Sequence, residues 1–485
     1  EPDRLLFRGG LSMDFSAIGI ELGLLALALL FLAMGVLLPK KESRTSLAAI
    51  SVVALLALFA YGFSFYRGGE AASFYAGLYV VDNYAVFFKQ LFLLSAALVV
   101  LFSSDYVERL LRSRAEFYAI LVFAVLGMCV MASANDFLTL YIGLELMTIS
   151  FYVFVGLRQR DALSSEAAIK YLVLGAAASA ILFFGVSFIY GAAGSLRFAA
   201  VVSSPQLFTP LGIVGMALVF AGIFFKLSMI PFHMWAPDVY EGAPAPVAAL
   251  LAMGSKAAAF AVLLRLVLAV FPPLGGMWLS LLAILAAVSM VGGNVMAIVQ
   301  DDVKRMLAYS SIAQVGYMLV GVVAADAAGM KALLFYLALY AFANIGAFAV
   351  LTAVEAQRGK PDMANVAGLA RTAPVLAAVM TISLLSMAGI PPTAGFAGKL
   401  YLFTAVVDQG GLWLAFVGFI MSMISVYYYL LVVKAMYLGE GPKEPVKISG
   451  ALRACVLVSV ALTLALGVYP EPLANLTNFV AATFF

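Results

Sequence analysis

The stretch Ala221–Lys256, AGIFFKLSMIPFHMWAPDVYEGAPAPVAALLAMGSK, decides how the rest of the chain is read. An apolar segment carries a single Lys226, breaks at Pro231, and opens into a run holding His233, Trp235, Asp238 and Glu241. A proline-spaced turn, Pro244 and Pro246, then starts a second apolar segment with its own lone Lys256. The 28 residues from Phe198 to Phe225 are uncharged. A lysine at the end of such a run is costly in a bilayer, and residues of this kind mark proton or ion paths.

Composition sets the class. The chain is 65% hydrophobic and 11% charged, with a mean hydropathy of +1.08. Uncharged runs such as Tyr171–Leu196, Ala332–Val354, Thr372–Gly398 and Gln409–Val433 each exceed the roughly 20 residues that span a bilayer. The expectation is an all-α polytopic membrane protein. Cys129 and Cys455 lie inside apolar spans and read as small core residues, not as a disulfide or metal framework. No Gly-rich phosphate loop follows a strand and no Cys/His cluster has metal spacing, so the chain itself is expected to bind no nucleotide, flavin, iron–sulfur cluster, metal or nucleic acid.

In chain order, residues 1–12 are polar and Met13 begins an ordinary membrane-protein sequence; the first dozen residues read as a leading extension and Met13 as the native start. Fourteen spans follow, near 15–38, 46–66, 83–103, 117–134, 137–157, 167–192, 210–231, 246–270, 275–299, 305–325, 330–354, 373–405, 411–437 and 449–469. Connections are short, so residues 1–485 form one membrane domain. Basic residues fix its orientation. Loops after odd-numbered spans hold 16 of the 28 Lys and Arg, among them Arg112, Arg158, Arg160, Lys304, Arg358 and Arg371; the opposite side holds 5 and the spans 7. Odd loops therefore face the cytoplasm and both termini lie outside.

A repeat sits in the second half. Leu227-Ser228-Met229-Ile230-Pro231 in span seven is echoed by Leu385-Ser386-Met387-Ala388-Gly389-Ile390-Pro391 in span twelve. Lys226 precedes one proline break and Lys399 follows the other. Five spans separate the breaks, an odd number, so the second copy is upside down. Paired, inverted, broken helices are a transporter architecture, with ion sites near the midplane. Carbonyls freed at Pro231 and at Pro391–Pro392 need partners, and water is the expected one.

Ionisable residues then suggest a relay: Glu145 inside span five, Lys170 opening span six among small residues that allow close packing, then Lys226, Lys256 and Lys399. Lys170 also has a plain alternative, snorkelling to the surface beside Glu166. Lys89 and Arg265 read as span-end anchors. His233 reads equally as a loop hydrogen bonder or a relay member. Glu145 is the one deep carboxylate noted in the central spans.

The strings SEAAIKYLVLGAAASA, FFKLSMIPFHMWAPDVYEGAPAPVAALLAMGSK, KRMLAYSSIAQVGYMLVG and LLSMAGIPPTAGFAGKLYLF resemble the subunit N family, antiporter-like membrane subunits of bacterial proton-pumping NADH:quinone oxidoreductase (respiratory complex I). The resemblance covers essentially all the spans, and PDVYEGAPAPV separates the family from its paralogues M and L. It implies fourteen helices with spans 4–8 and 9–13 as inverted five-helix repeats, at about residues 117–270 and 275–437, and broken helices seven and twelve. It implies proton transfer through residues matching Glu145, Lys226, Lys256 and Lys399, with Lys170 the matching span-six lysine, and Pro231, Pro391 and His233 in support. It also implies partners, namely subunit M and the small membrane subunits in a lipid bilayer, and places NADH, FMN, iron–sulfur clusters and quinone in other subunits. One departure stands out: many relatives carry histidine where this chain has Gln314, and glutamine orients water but does not titrate.

Three functions follow. The favoured one is proton translocation driven by quinone reduction in partner subunits. A multi-subunit cation/proton antiporter, or a related ferredoxin-linked complex, is the alternative, and an inactive scaffold is the third. Lysine-rich sites favour protons over sodium, which wants oxygen ligands. The charge asymmetry is directly testable. Reporter fusions at Arg112 and Arg358 will read cytoplasmic and a fusion at Arg197 external; the reverse pattern would overturn the orientation.

Overall fold

In hydrocarbon every backbone N–H and C=O must be satisfied internally, so apolar runs of this length resolve as helices. The computed structural model describes residues 15–37, 45–66, 71–158, 160–271 and 275–485. The leading extension, Met13, and the basic residues Lys40, Lys41, Arg44 and Arg67 lie outside the described residues. The transmembrane helices are α1 (Gly19–Leu37), α2 (Thr45–Gly62), α3 (Asn83–Leu110), α4 (Arg114–Ser133), α5 (Phe137–Val155), α6 (Ala162–Ala193) and α7 (Pro210–Leu227). They continue with α8 (Ala245–Val270), α9 (Gly275–Ala297), α10 (Val303–Ala324), α11 (Ala327–Arg358), α12 in two pieces (Pro374–Ala388 and Ala394–Asp408), α13 (Leu412–Leu438) and α14 (Gly450–Val468). Among the described residues, thirteen helices are long and apolar enough to cross a membrane, and the broken α12 makes the fourteenth.

Several elements fall outside the sequence expectation, among them the following. A short hairpin, β1 (Ala72–Phe74) and β2 (Tyr79–Val81), joins α2 to α3, and a final helix, α15 (Glu471–Ala481), follows α14. The apolar windows of α8 and α11 are wholly buried, whereas less than a third of the α2, α13 and α14 windows is buried. The two halves of the chain therefore meet across α8 and α11, and the lipid-facing helices form the rim. Cys129 and Cys455 are buried and free, as their spans implied.

The same devices recur in both halves. Asp136 caps α5 and forms a bridge with Arg197, with Phe137 N donating to Leu196 O and Phe198 N to Asn135 O. Asp302 caps α10 and forms a bridge with Asp362, with Val303 N donating to Pro361 O and Met363 N to Asp301 O. Each latch ties the start of one helix to the end of the next.

The breaks also match. α7 ends at Leu227 with Ser228 in the left-handed region, φ 55°, and Met229 N donates to Phe224 O. The first piece of α12 ends at Ala388 with Gly389 left-handed, φ 85°, and Ile390 N donates to Leu385 O. Proline clashes with the carbonyl four residues back; Pro231 thus forbids the helix beyond Leu227, and Pro392 forbids it beyond Ala388. The structural register pairs Ser228 with Gly389 and Pro231 with Pro392. The shared Leu-Ser-Met letters do not superpose; the repeat is the left-handed cap three residues before a proline.

Close approach of α6 and α7 depends on glycine. A Cβ on Gly185 would lie 2.6 Å from Gly215 O, and one on Gly215 would lie 2.9 Å from Gly185 O. Gly215→Val must separate the helices at a cost of about 1–3 kcal/mol. Thermal unfolding of the detergent-purified assembly will show the loss, whereas Gly194→Val, at a position with open space around its Cβ, will be disfavoured only by its backbone conformation.

Candidate functional site

The sequence places three lone lysines on three different helices, and the fold buries each of them. Lys226, Lys256 and Lys399 are 3%, 1% and 4% exposed. Each ammonium meets a serine hydroxyl: Lys226 reaches Ser179 Oγ on α6 at 3.4 Å, Lys256 reaches Ser311 Oγ on α10 at 2.6 Å, and Lys399 reaches Ser422 Oγ on α13 at 2.8 Å. Aromatic faces complete the cages, with Lys399 Nζ 4.2 Å from the Tyr317 ring centroid and Lys256 Nζ 5.9 Å from that of Tyr240. No carboxylate forms a salt bridge with any of the three among the described residues. Lys256 directly follows a π-helical turn, Leu251–Ser255, a local widening often found at functional sites.

Glu145 is half-buried on α5. No ion pair joins it to Lys226 among the described residues. Among the described residues Glu145 Oε1 and Thr148 Oγ1 are enclosed without a hydrogen-bond partner, while Tyr152 OH lies beside Ser179, the hydroxyl that Lys226 reaches. The spacing 145, 148, 152 sets all three on one face of α5. Sequence reasoning found Glu145 but not its two neighbours, which helical spacing alone could have supplied.

The carbonyls freed at the two breaks have partners in the chain itself. Phe225 O accepts from Trp235 Nε1 at 2.8 Å, and Ile230 N donates to Ser289 Oγ at 3.1 Å. Met387 O accepts from Gln314 Nε2 at 3.0 Å and Ala388 O from Lys399 Nζ at 3.1 Å. Water was the expected partner; side chains take that place at these atoms. Gln314 thus pins the α12 break, and its Oε1 accepts from Tyr336 OH at 2.6 Å. Pro231 and Pro391 act through the breaks alone. His233 is half-buried beside its own turn, with Nδ1 3.4 Å from Pro231 O, and joins none of the lysines by a hydrogen bond.

Between Lys256 and Lys399 runs a row of buried hydroxyls and amides that the sequence did not announce. Ser310, next to the Lys256 partner Ser311, bonds Tyr429 OH, which also accepts from Gln314. Tyr428 OH donates to Asn294 Oδ1 at 2.9 Å, and Asn294 Nδ2 donates to Tyr317 OH at 3.1 Å, beneath Lys399. The row is hydrogen-bonded except between chain neighbours, Ser310 with Ser311 and Tyr428 with Tyr429.

The remaining buried cations are paired. Lys170 is not deep: its side chain is 43% exposed and bonds Glu166 and Asp238, each at 2.7 Å. Lys89 and Arg265, expected as span-end anchors, are buried and pair with Glu21 at 2.8 Å and Asp82 at 2.9 Å. The acids of PDVYEG lie one turn apart, and Asp238 and Glu241 both take Arg305, at 2.6 and 2.9 Å. Partial burial pushes the Asp238 carboxyl up, but the bonds to Lys170 and Arg305 outweigh it and hold the group below its usual range. A second deep carboxylate, Glu355 at the end of α11, escaped the sequence reading. Its Oε1 accepts from Lys304 at 2.9 Å and Arg158 at 3.0 Å, and its Oε2 accepts from Ala245 N, the first residue of α8, at 2.8 Å. Lys304 also donates to Ala243 O at 2.8 Å. This cluster ties the Lys256 helix to α10 and α11.

A family model described as NADH:quinone oxidoreductase/Mrp antiporter, transmembrane, matches residues 134–425. NADH-quinone oxidoreductase subunit N of Heliobacterium modesticaldum is 49% identical over 98% of this chain and 100% of its own length. That of Desulfitobacterium hafniense is 47% identical over 98% and 99%. A chain of respiratory complex I from Thermus thermophilus superposes with a TM-score of 0.80 at 33% identity, covering 94% of this chain and 98% of that one. A chain of the Mrp complex from Dietzia gives a TM-score of 0.87 at 22% identity over 97% and 98%, a likeness of fold alone.

Breaking a buried ion pair on one side strands the other charge and costs about 3–5 kcal/mol, whereas replacing both partners by apolar groups is often nearly neutral. Glu355→Gln keeps an acceptor for Ala245 N but leaves Lys304 and Arg158 without their counter-charge. Thermal stability of the purified assembly will fall in Glu355→Gln and recover in part when Lys304→Met is added. Equal stability of all three proteins would remove the cluster from the structural account.

Proposed function

The chain belongs to the family of NADH:quinone oxidoreductase and Mrp antiporter membrane subunits, and on that premise we propose that it serves as the N-type membrane subunit of a bacterial NADH:quinone oxidoreductase. In this reading it moves protons while partner subunits carry NADH, FMN, iron–sulfur clusters and quinone. It sits in the bacterial inner membrane among the other membrane subunits, with both termini on the outer side.

One observation carries the proposal: the buried Lys226, Lys256 and Lys399 are held by hydroxyls, while the equally buried Lys89, Arg265 and Lys304 are held by carboxylates. An ammonium locked to a carboxylate cannot lose its proton without stranding a buried negative charge. One held by a serine can, and the serine then turns from acceptor to donor toward the neutral amine. Such a site can change charge in place.

Residues 117–270 and 275–437 act as inverted repeats, each supplying a half-path. Glu145 and Lys226 serve the first, with Lys170 at its rim between Glu166 and Asp238. Thr148 and Tyr152 extend the Glu145 face. Lys399 serves the second, early in the helix piece beyond the break, where its ammonium reaches back to Ala388 O at 3.1 Å. Lys256 bridges the two, and the row from Ser311 through Tyr429, Asn294 and Tyr317 supports its link to Lys399. Gln314 holds that row against the α12 break without titrating.

Lys226→Ala and Glu145→Gln will each remove most proton pumping from fully assembled complex, while Glu145→Asp retains part of it. Lys399→Leu will impair pumping, and Lys399→Glu, which keeps a titratable group, will retain more. The measurement is proton uptake into membrane vesicles driven by quinone reduction, at matched complex content. Wild-type stoichiometry in Lys226→Ala and Glu145→Gln would leave the scaffold reading standing.

A further inference from the structure

Lys226, Lys256 and Lys399 each meet a serine, and the three serines share a second kind of neighbour. Tyr152 OH lies beside Ser179, Tyr240 OH beside Ser311, and Tyr317 OH beside Ser422. All of these serines and tyrosines are buried. In each set the members come from separate elements. Lys226, Ser179 and Tyr152 belong to α7, α6 and α5, and Lys399, Ser422 and Tyr317 to α12, α13 and α10. Lys256 and Ser311 belong to α8 and α10, and Tyr240 to the short helix Trp235–Gly242. No local spacing announces the pattern, yet packing assembles it at every one of these lysines.

The local structure accommodates the phenols. A Cβ on Gly175, one turn before Ser179 on α6, would collide with Tyr152 OH. At the other two sites the tyrosine ring itself lies near the ammonium, 5.9 Å from Lys256 Nζ for Tyr240 and 4.2 Å from Lys399 Nζ for Tyr317. Lys89, which is held by Glu21, is built differently: its ammonium donates directly to Tyr79 OH at 2.6 Å.

A serine hydroxyl has one proton and two lone pairs. While the lysine is an ammonium the serine accepts from it, and Ser311 spends its own proton on Ala308 O at 2.7 Å. Once the lysine is an amine, the serine must turn and donate. A hydroxyl that accepts a bond donates a stronger one, and the phenol beside the serine can supply that bond.

We propose that Tyr152, Tyr240 and Tyr317 complete three Lys–Ser–Tyr triads: as each lysine becomes an amine, the phenol donates to the serine oxygen and the serine donates to the lysine. The tyrosines are positioning residues that act through the serines, and the inference rests on the proton-relay reading. Ser311 has a further phenol beside it, that of Tyr340, so the sites of Lys226 and Lys399 give the clearer test.

The measurement is proton uptake into vesicles holding the assembled complex, at matched complex content, with thermal stability followed alongside. A hydrogen bond of ordinary strength corresponds to about five-fold in an equilibrium. Tyr152→Phe and Tyr317→Phe keep the ring and remove the hydroxyl, and each will slow uptake about five-fold at near-native thermal stability. Ser422→Thr, which keeps the hydroxyl, will retain more uptake than Ser422→Ala, and adding Tyr317→Phe to Ser422→Ala will cause no further loss. Tyr118→Phe removes a buried hydroxyl packed among the rings of Phe31 and Phe117 and will leave uptake unchanged. Wild-type uptake in both Tyr152→Phe and Tyr317→Phe, beside a defective Lys399→Leu, overturns the triads and leaves the relay standing. Wild-type uptake in Lys399→Leu removes the relay and the triads with it. An additive loss in the double variant, or a loss in Tyr118→Phe equal to that in Tyr317→Phe, would assign the phenols to packing and likewise overturns the proposal.

Discussion

Hydrocarbon tolerates no unsatisfied peptide group, and this constraint organises the whole molecule. It forces the apolar runs into helices, and it makes each interruption a problem that side chains must solve. At the α7 break the answer is the Trp235 indole, donated to Phe225 O. At the α12 break it is Gln314 and Lys399, donated to Met387 O and Ala388 O. The second solution has a consequence for chemistry. Lys399 is not simply a charge placed near a kink; its ammonium is one of the groups that satisfies the kink. A change in its protonation alters how many donors it offers to Ala388 O and Ser422, so the state of the lysine and the geometry of the break are coupled through the same hydrogen bonds.

Charge is sorted by the same logic. Carboxylates hold Lys89, Arg265 and Lys304 in pairs that join distant helices: α1 to α3, α3 to α8, and α10 to α11. Those pairs are rigid because separating either member leaves a buried charge. Lys226, Lys256 and Lys399 have hydroxyl and aromatic neighbours instead, which accommodate both the ammonium and the amine. The Glu355 cluster links the two groups. By accepting from Ala245 N it anchors the start of α8, eleven residues before Lys256, so a static ion pair fixes the helix that bears a lysine held only by a hydroxyl and an aromatic face.

Much of this was legible in the residues. Lone lysines after long uncharged runs, and prolines in midspan, announced Lys226, Lys399 and both breaks, because charge and proline are conspicuous against an apolar background. The hydroxyl row was not legible: Tyr317, Tyr428, Tyr429, Ser310 and Asn294 are ordinary members of apolar helices, and their meeting depends on how α9, α10 and α13 pack. Glu355 was missed because it falls one residue past the assigned span, where a carboxylate reads as a solvated end. Lys89 and Arg265 were misjudged for the same reason: partners 68 and 183 residues away, Glu21 and Asp82, have no local signature. The Leu-Ser-Met echo found the repeat but with the wrong register, since the caps are equivalent by backbone conformation and not by letters.

The two halves therefore share a backbone plan and differ in their chemistry. Both have the aspartate latch and the left-handed cap before proline. The first half has a carboxylate, Glu145, on a helix face with Thr148 and with Tyr152, whose hydroxyl lies beside Ser179. In the second half no carboxylate pairs with Lys399 among the described residues; a row of amides and hydroxyls, interrupted between Ser310 and Ser311 and between Tyr428 and Tyr429, leads there instead. A carboxylate responds to a neighbouring charge by gaining or losing its own, whereas a bonded hydroxyl row responds by reversing its donors and acceptors. Charge arriving at Lys256 would thus be read differently on its two sides, as a change of electrostatic balance toward Glu145 and Lys226 and as a change of hydrogen-bond direction toward Lys399. In a proton-moving subunit the symmetric backbone would supply the crossing, and the asymmetric side chains would give it a direction.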